Sequence, residues 1–127
     1  MTIAEVSRKY DLSPDTLRYY ERIGLIPTVP RSKSGIRDYD EKSCQWIEMM
    51  KCMRKAGVQI EALVEYVKLF QEGDATIEAR KEILLEQRER MEQKMAEIQS
   101  SLDLLNMKID RYEEIMVAAE KKLLKNE

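Results

Sequence analysis

Apolar residues along this chain follow two patterns that meet near Gly73. From Ala75 to about Leu124 there is neither Gly nor Pro, and apolar side chains return every seven residues in two interleaved sets. One set is Ile77, Leu84, Met91, Ile98, Leu105, Tyr112 and Ala119; the other is Lys81, Arg88, Met95, Leu102, Ile109, Met116 and Leu123. The sets alternate by four and three, imperfectly in the first two turns and cleanly from Met91, as in a coiled-coil seam. Leu84, Met91, Met95, Ile98, Leu102, Leu105, Ile109, Tyr112 and Met116 are the expected contact positions. A helix of roughly 45 residues is about 70 Å long, too long to bury its stripe on the front of the chain. Exposing that stripe on a lone arm is costly, so a second copy of the chain is the expected cover. The pattern does not choose between parallel and antiparallel pairing.

Before Gly73 the pattern breaks into short helical pieces. Thr2-Ile3-Ala4-Glu5 fits a capping box and predicts a helix to about Lys9, with Ile3 and Val6 on one face. Tyr10-Asp11-Leu12 is a tight turn. Ser13 then serves as an N-cap, Pro14 suits the first helical position, and Gly24 suits the left-handed residue past the end. Helix, turn and helix make a helix-turn-helix. Leu25-Ile26-Pro27 leaves in extended form, Pro30 to Gly35 is turn-rich and basic, and Ile36 to Tyr39 predicts a returning strand. Together they predict a two-stranded wing. Asp40 reads as the cap of a third helix through Trp46, Ile47 and Met50, closed near Gly57. A fourth helix is expected from Ile60 to Gln71, with Leu63, Val64, Val67 and Phe70 on one side. Glu72-Gly73-Asp74 breaks it, and Asp74 is positioned to cap the long helix. The fold class is therefore mainly α. Residues 1–73 form a winged helix-turn-helix domain and residues 74–127 a coiled-coil dimerisation helix.

The second helix carries the chemistry. Leu17 and Tyr20 fall on its apolar face and belong to the core. Arg18, Tyr19 and Arg22 sit on the other, where a purely structural helix gains nothing from them. A short helix exposing Arg and Tyr, followed at once by a basic hairpin, suits a reader of duplex DNA. Arg18 has the fork to address a guanine edge or a phosphate. Tyr19 offers a ring and a hydroxyl. Thr16 is near enough to the helix N-terminus to touch a phosphate. Arg31, Lys33, Arg37 and Tyr39 supply the wing, with Tyr39 balanced between DNA contact and burial. Arg54 and Lys55, just before Gly57, are further candidates for phosphate contact.

Charge supports that division. The net charge is −2, but residues 1–57 carry +3 and the remainder −5, so nucleic acid would meet the front half only. Charged residues make up 36% and aromatics 6%, a balance suited to long solvated helices. There is no histidine and no Gly-rich phosphate loop, so an enzyme reading has little support. The two cysteines, Cys44 and Cys52, lie about 12 Å apart along one helix, too far for a disulfide. The absence of a signal pattern and of any membrane-length apolar run predicts a reduced, cytoplasmic protein.

Leu17-Arg18-Tyr19-Tyr20-Glu21, Gly24-Leu25-Ile26, Arg31, Gly35, Arg37 and Tyr39 together resemble the N-terminal domain of MerR-family transcription regulators. The likeness continues through Gly57 and the fourth helix, where the family has its second wing, into a long dimerisation helix. The chain is similar to the short form of the family, without a C-terminal effector domain. The resemblance implies a homodimer with antiparallel long helices, bound to a promoter dyad in double-stranded DNA. It also implies that the protein distorts the spacer between promoter elements and so reaches RNA polymerase indirectly, through the DNA. On the same basis Arg37 and Tyr39 match backbone-contacting positions.

Metal-sensing relatives place cysteines at the start of the dimer helix and in a loop beyond it. Here neither place holds a thiol, so no metal site and no cofactor are expected. Cys52 falls near the sensor cysteine of the aldehyde- and nitrosative-stress branch. Its neighbours Lys51, Arg54 and Lys55 favour a thiolate. Cys52 is therefore a candidate sensor thiol for an electrophile, set against the commoner fate of a free Cys as a small core hydrophobe. Cys44 ranks below it. Two alternatives stand beside this reading. A small apolar ligand could be sensed between the dimer helix and the DNA domain, with Tyr66, Phe70, Tyr112 and methionines as lining. A coiled-coil adaptor without DNA function would share the same back half.

Overall fold

The computed structural model describes residues 1–125 and is mainly helical. The first helix, α1 (Ile3–Tyr10), starts from the expected capping box: the Glu5 N–H donates to Thr2 Oγ1, and the Thr2 N–H donates to Glu5 Oε1, each at 3.2 Å. Asp11 ends it in the left-handed conformation, φ 54°. The second helix, α2 (Pro14–Ile23), has Ser13 as N-cap, Pro14 in its first turn and Gly24 at φ 82° as its stop. Helices α3 (Glu41–Lys55) and α4 (Ile60–Gln71) come next, with Asp40 capping α3 through the Ser43 N–H at 2.8 Å.

These four helices share one core. Val6, Leu17, Leu25, Ile26, Val29, Tyr39, Ile47, Met50, Leu63 and Val67 are essentially fully buried. Each contributes roughly 1.5–3 kcal/mol by leaving water. The Lys51 ammonium donates to the Tyr10 carbonyl, tying α3 to the free end of α1.

The wing is shorter in hydrogen bonding than the pattern predicts. No strand forms among the described residues. Instead a single antiparallel bridge joins Arg31 and Arg37. The tip closes through the Gly35 N–H to the Ser32 carbonyl at 2.9 Å and the Ser32 N–H to the Ile36 carbonyl at 2.7 Å. Beyond the bridge one more bond follows, from the Asp38 N–H to the Pro30 carbonyl at 2.8 Å, and Pro30 has no N–H with which to return it.

The back half differs from expectation in three respects. Asp74 is not a cap: it lies inside a short 3₁₀ turn (Asp74–Thr76). The Thr76 hydroxyl points back at the end of α4 instead, its one proton shared between the Leu69 carbonyl at 2.6 Å and the Gly73 carbonyl at 2.7 Å. The single long helix is also interrupted. The fifth helix, α5 (Ile77–Asp110), ends before Arg111, a π-helical stretch covers Tyr112–Val117, and α6 (Ala118–Lys125) continues from it. The wider turn resets the angular phase, so a count of seven does not carry across it. Met116, assigned to the seam by that count, lies within the π-helical stretch and is half-buried.

The third difference concerns packing. One compact unit runs from Met1 to Arg88 and a second begins at Glu89, so the early turns of α5 belong with the front of the chain. Leu84 lines a small cavity with Met49, Met50, Met53, Leu63 and Tyr66 of its own chain, which takes its side chain toward α3 and α4. Trp46 of α3 meets Phe70 of α4 edge-to-face at 5.0 Å, and the Arg80 guanidinium of α5 lies 5.3 Å above Phe70. In the second unit the apolar positions stand open: Met95 is 68% exposed, and Ile98, Leu102, Leu105, Ile109 and Tyr112 are exposed as well. Residues 126–127 of the expected dimerisation segment lie outside the described residues.

Candidate nucleic-acid interface

Helix α2 is fixed at both ends by groups that its own sequence supplies. At the start, the Thr16 N–H donates to Ser13 Oγ at 3.1 Å and the Ser13 hydroxyl donates to Thr16 Oγ1 at 2.8 Å. Thr16 thus takes part in the cap beside the unsatisfied N–H groups of the first turn. At the end, Gly24 lets Leu25 and Ile26 turn straight into the core, both donating their N–H groups to the Tyr20 carbonyl. Leu17 and Tyr20 face inward as expected, leaving Arg18, Tyr19 and Arg22 exposed.

The exposed groups are arranged in loose pairs. Arg18 Nη1 lies 3.0 Å from Asp15 Oδ1, one turn away on the same face. Both side chains are well exposed, so the pair is weak and gives up its guanidinium at little cost. The Arg22 guanidinium sits 5.3 Å over the Tyr19 ring, close enough for a modest cation–π attraction that holds the ring outward.

Glu21 organises the wing, a role that no local pattern announces. Its side chain is only 8% exposed. Oε1 accepts from Arg37 Nε at 2.8 Å and from Arg31 Nη2 at 3.1 Å, while Oε2 accepts the Val29 N–H at 2.6 Å. Arg31 and Arg37 are the two residues of the wing's single bridge, and like charges opposed across a bridge repel. The shared carboxylate turns that repulsion into a three-member ion network and ties the wing's base to α2. Burial raises the Glu21 pKa, but the Val29 N–H, the Arg37 bond and the charges of Arg31 and Arg37 outweigh it. The net result is a carboxyl held below its ordinary value of 4.5. The signal lay in the sequence as an acidic residue amid basic ones, but its partners are eight to sixteen residues away.

Tyr39 departs from the expectation of DNA contact. It is 1% exposed, a floor beneath the basic cluster, with its N–H donated to the Met1 carbonyl at 2.8 Å. A large apolar ring at the foot of a short wing does more good buried than projected. Its hydroxyl has no hydrogen-bond partner among the described residues. Burial pushes its pKa up, Arg37, Arg18 and Arg31 pull it down, Glu21 adds to the rise, and the balance is a raised value. Glu21, Arg31 and Arg37 form the cluster that joins α2 to the wing, and the charge of Arg18 bears on the same hydroxyl. Lys33 and Ile36 are exposed at the wing tip.

The other candidates stand apart from that cluster. Cys52 is exposed on α3, which removes the reading of it as a core hydrophobe, whereas Cys44 is buried with its Sγ 3.9 Å from Met1 Sδ. Two of the cations near Cys52 are occupied: Lys51 on the Tyr10 carbonyl, and Arg54, whose Nη1 donates to the Val58 carbonyl at 2.8 Å. Lys55 is exposed. No group of three or more Cys, Asp or Glu suited to a metal ion occurs among the described residues, and none of their helices is long and apolar enough to cross a membrane. An open groove of about 280 Å³ between α3 and α4 is lined by Gln45, Trp46, Met49, Tyr66 and Phe70.

Comparison with known proteins places this geometry. Residues 1–69 match the model of the MerR HTH family regulatory proteins. The HTH-type transcriptional regulator AdhR of Bacillus subtilis (strain 168) is 60% identical over 91 residues. That match covers 72% of this chain and 65% of the length of AdhR, so just under two thirds of the relative is represented. Among solved structures, a MerR family transcriptional regulator from Listeria monocytogenes superposes with a TM-score of 0.80 at 43% identity, covering 98% of this chain and 95% of that one. HiNmlR, a MerR family regulator lacking the sensor domain and bound to promoter DNA, gives a TM-score of 0.71 at 30% identity, covering 91% and 92%. With the helix-turn-helix, the bridged wing and the long fifth helix all in place, the chain belongs to the MerR family of helix-turn-helix regulatory proteins.

Proposed function

We propose that this chain is a transcriptional regulator, not an enzyme, that binds a promoter dyad as a homodimer in the cytoplasm and distorts the duplex to control transcription. Thr16, Arg18 and Tyr19 of α2 enter the major groove, and Arg31 and Arg37 hold the flanking backbone. RNA polymerase is affected through the shape of the DNA. The observation that carries this reading is the Glu21 network, which joins the wing's two arginines to the helix bearing Arg18 and Tyr19. Met95, Ile98, Leu102, Leu105, Ile109 and Tyr112 form the interface with the second copy, their long helices antiparallel. Titration of promoter duplex against salt tests it. A steep loss of affinity with rising salt and a preference for a dyad are expected. Salt-independent or absent binding to any duplex favours the adaptor class instead.

The trigger we assign is an electrophile acting at Cys52. Its support is accessibility: the thiol stands on the surface of α3, in the DNA-binding unit, while Cys44 is enclosed. Alkylation there would add bulk next to the turn that leads into α4. Cys52→Ser in a promoter-reporter strain under aldehyde challenge is expected to lose its response while keeping basal output, and a normal response sinks the assignment. The aromatic groove of Gln45, Trp46, Met49, Tyr66 and Phe70 favours a second reading, recognition of a small apolar ligand. Trp46 is the sole tryptophan of the chain, so its fluorescence reports occupancy directly.

A further inference from the structure

One buried polar side chain has no part in the Glu21 cluster. Gln87 of α5 is 8% exposed, on a helix whose other described polar residues face outward or lie half-buried. Its Oε1 accepts the backbone N–H of Gln59 at 3.0 Å, and its Nε2 donates to Gln59 Oε1 at 3.1 Å. Gln59 is the N-cap residue of α4, and its own side chain makes no capping bond. The N–H of the cap residue itself is answered by a residue 28 positions later.

The choice of side chain is telling. A leucine at 87 would pack but leave the Gln59 N–H unanswered in a part-buried site. A glutamate would accept that N–H too, but would hold a charge at a position that is only 8% exposed. A primary amide at this reach satisfies both groups without burying a charge. The adjoining turn is held from its other side by Arg54, whose guanidinium binds the Val58 carbonyl at 2.8 Å. Gly57 gives the turn its left-handed residue at φ 95°. Lys55 stands exposed at the head of this doubly braced turn.

We infer that Gln87 is a positioning residue for DNA binding: its amide clasp on Gln59 sets the α3–α4 turn so that the Lys55 ammonium meets a backbone phosphate. The inference rests on the DNA-binding reading proposed for the chain. The clasp adds the early part of α5 to Arg54 and Gly57 as an element that sets where this cation points.

The test uses the full-length chain and a fluorescent promoter duplex, titrated across salt concentrations. Gln87→Leu is expected to weaken binding about tenfold and to lower the slope of log affinity against log salt by about one per lost phosphate contact. Lys55→Ala is expected to do the same, and the double variant to add little, because both remove one contact. Exchange of the Gln59 amide hydrogen is expected to accelerate in Gln87→Leu with helix content unchanged. A wild-type salt slope in folded Gln87→Leu, or losses that multiply in the double variant, overturns the inference. Should Gln87→Leu fail to fold, Gln87→Met, which keeps the length of the side chain but removes the amide, takes its place. A reduced slope there supports the clasp, and an unchanged one overturns it. If the wild-type chain binds no duplex, the regulator reading itself falls. If it binds and the variants match it, only the role of Gln87 falls.

Discussion

The two compact units of this chain handle exposed surface in opposite ways. In the unit through Arg88 the core side chains are enclosed, and the groups facing water on α2 and the wing are mostly polar or charged, Tyr19 and Ile36 excepted. In the unit from Glu89 the charges are plentiful but the exposed groups that stand out are Met95, Ile98, Leu102, Leu105, Ile109 and Tyr112. On the proposed reading the first unit is complete as a folded object and takes a charged ligand. On the same reading the second is incomplete as a single chain and takes apolar cover. One sequence thus separates two kinds of recognition, one driven by ion pairing and sensitive to salt, the other by burial and largely indifferent to it.

The largest expected effect is on the incomplete unit. Leu102→Glu places an unpaired charge where apolar cover is due, and is expected to weaken self-association by roughly two to three orders of magnitude. Sedimentation of wild-type and variant protein measures it. Helix content of the first unit should survive, and a variant that still sediments as a dimer would mean the stripe is covered by something other than a second copy.

A smaller effect is expected in the complete unit. Glu21→Gln leaves Arg31 and Arg37 opposed across the bridge and weakens the acceptor of the Val29 N–H. The expected cost is about 1–3 kcal/mol, read by urea unfolding. The same carboxylate predicts a pH dependence. Its folded pKa lies below the ordinary 4.5, so its contribution is present above that value and is lost as pH falls through the folded pKa. Wild-type stability should therefore decline below about pH 4.5 more steeply than that of Glu21→Gln. Parallel curves would place the network's energy elsewhere.

The smallest effect concerns Tyr39. Because its buried hydroxyl has no partner among the described residues, Tyr39→Phe is expected to be neutral or stabilising by up to about 1 kcal/mol, with duplex affinity unchanged. A clear loss of affinity in that variant would restore Tyr39 as a DNA contact and blur the line between core and ligand-facing residues.

How much could be read from the sequence divides along physical range. The capping box of Thr2 and Glu5, the Ser13 and Asp40 caps and the Gly24 stop are all local, settled within three or four residues, and each stands in the structure. The apolar faces of α2 and α4 follow from helical periodicity and needed no partner to be seen. The role of Glu21 was hidden because its ligands come from the far side of a turn. The inward turn of Tyr39 depends on the N-terminal segment packed beside it, 38 residues earlier. The break at Arg111 had no glycine or proline to announce it, and Gln87 carried no periodic signal. Leu84 showed that a heptad position can be taken by the chain's own α3 and α4. In each of these cases the deciding group lies outside the window in which local pattern operates.

Glu21 also bears on how such a reader can be altered. Its carboxylate belongs to the recognition helix and its counter-charges to the wing, so neither piece is portable alone. A transplanted wing without arginine at both bridge positions would strand a buried anion; a transplanted helix without the acid would leave two cations in collision. Helix and wing are in that sense a single cassette, and changes in operator preference have to pass through substitutions that keep the three charges in balance.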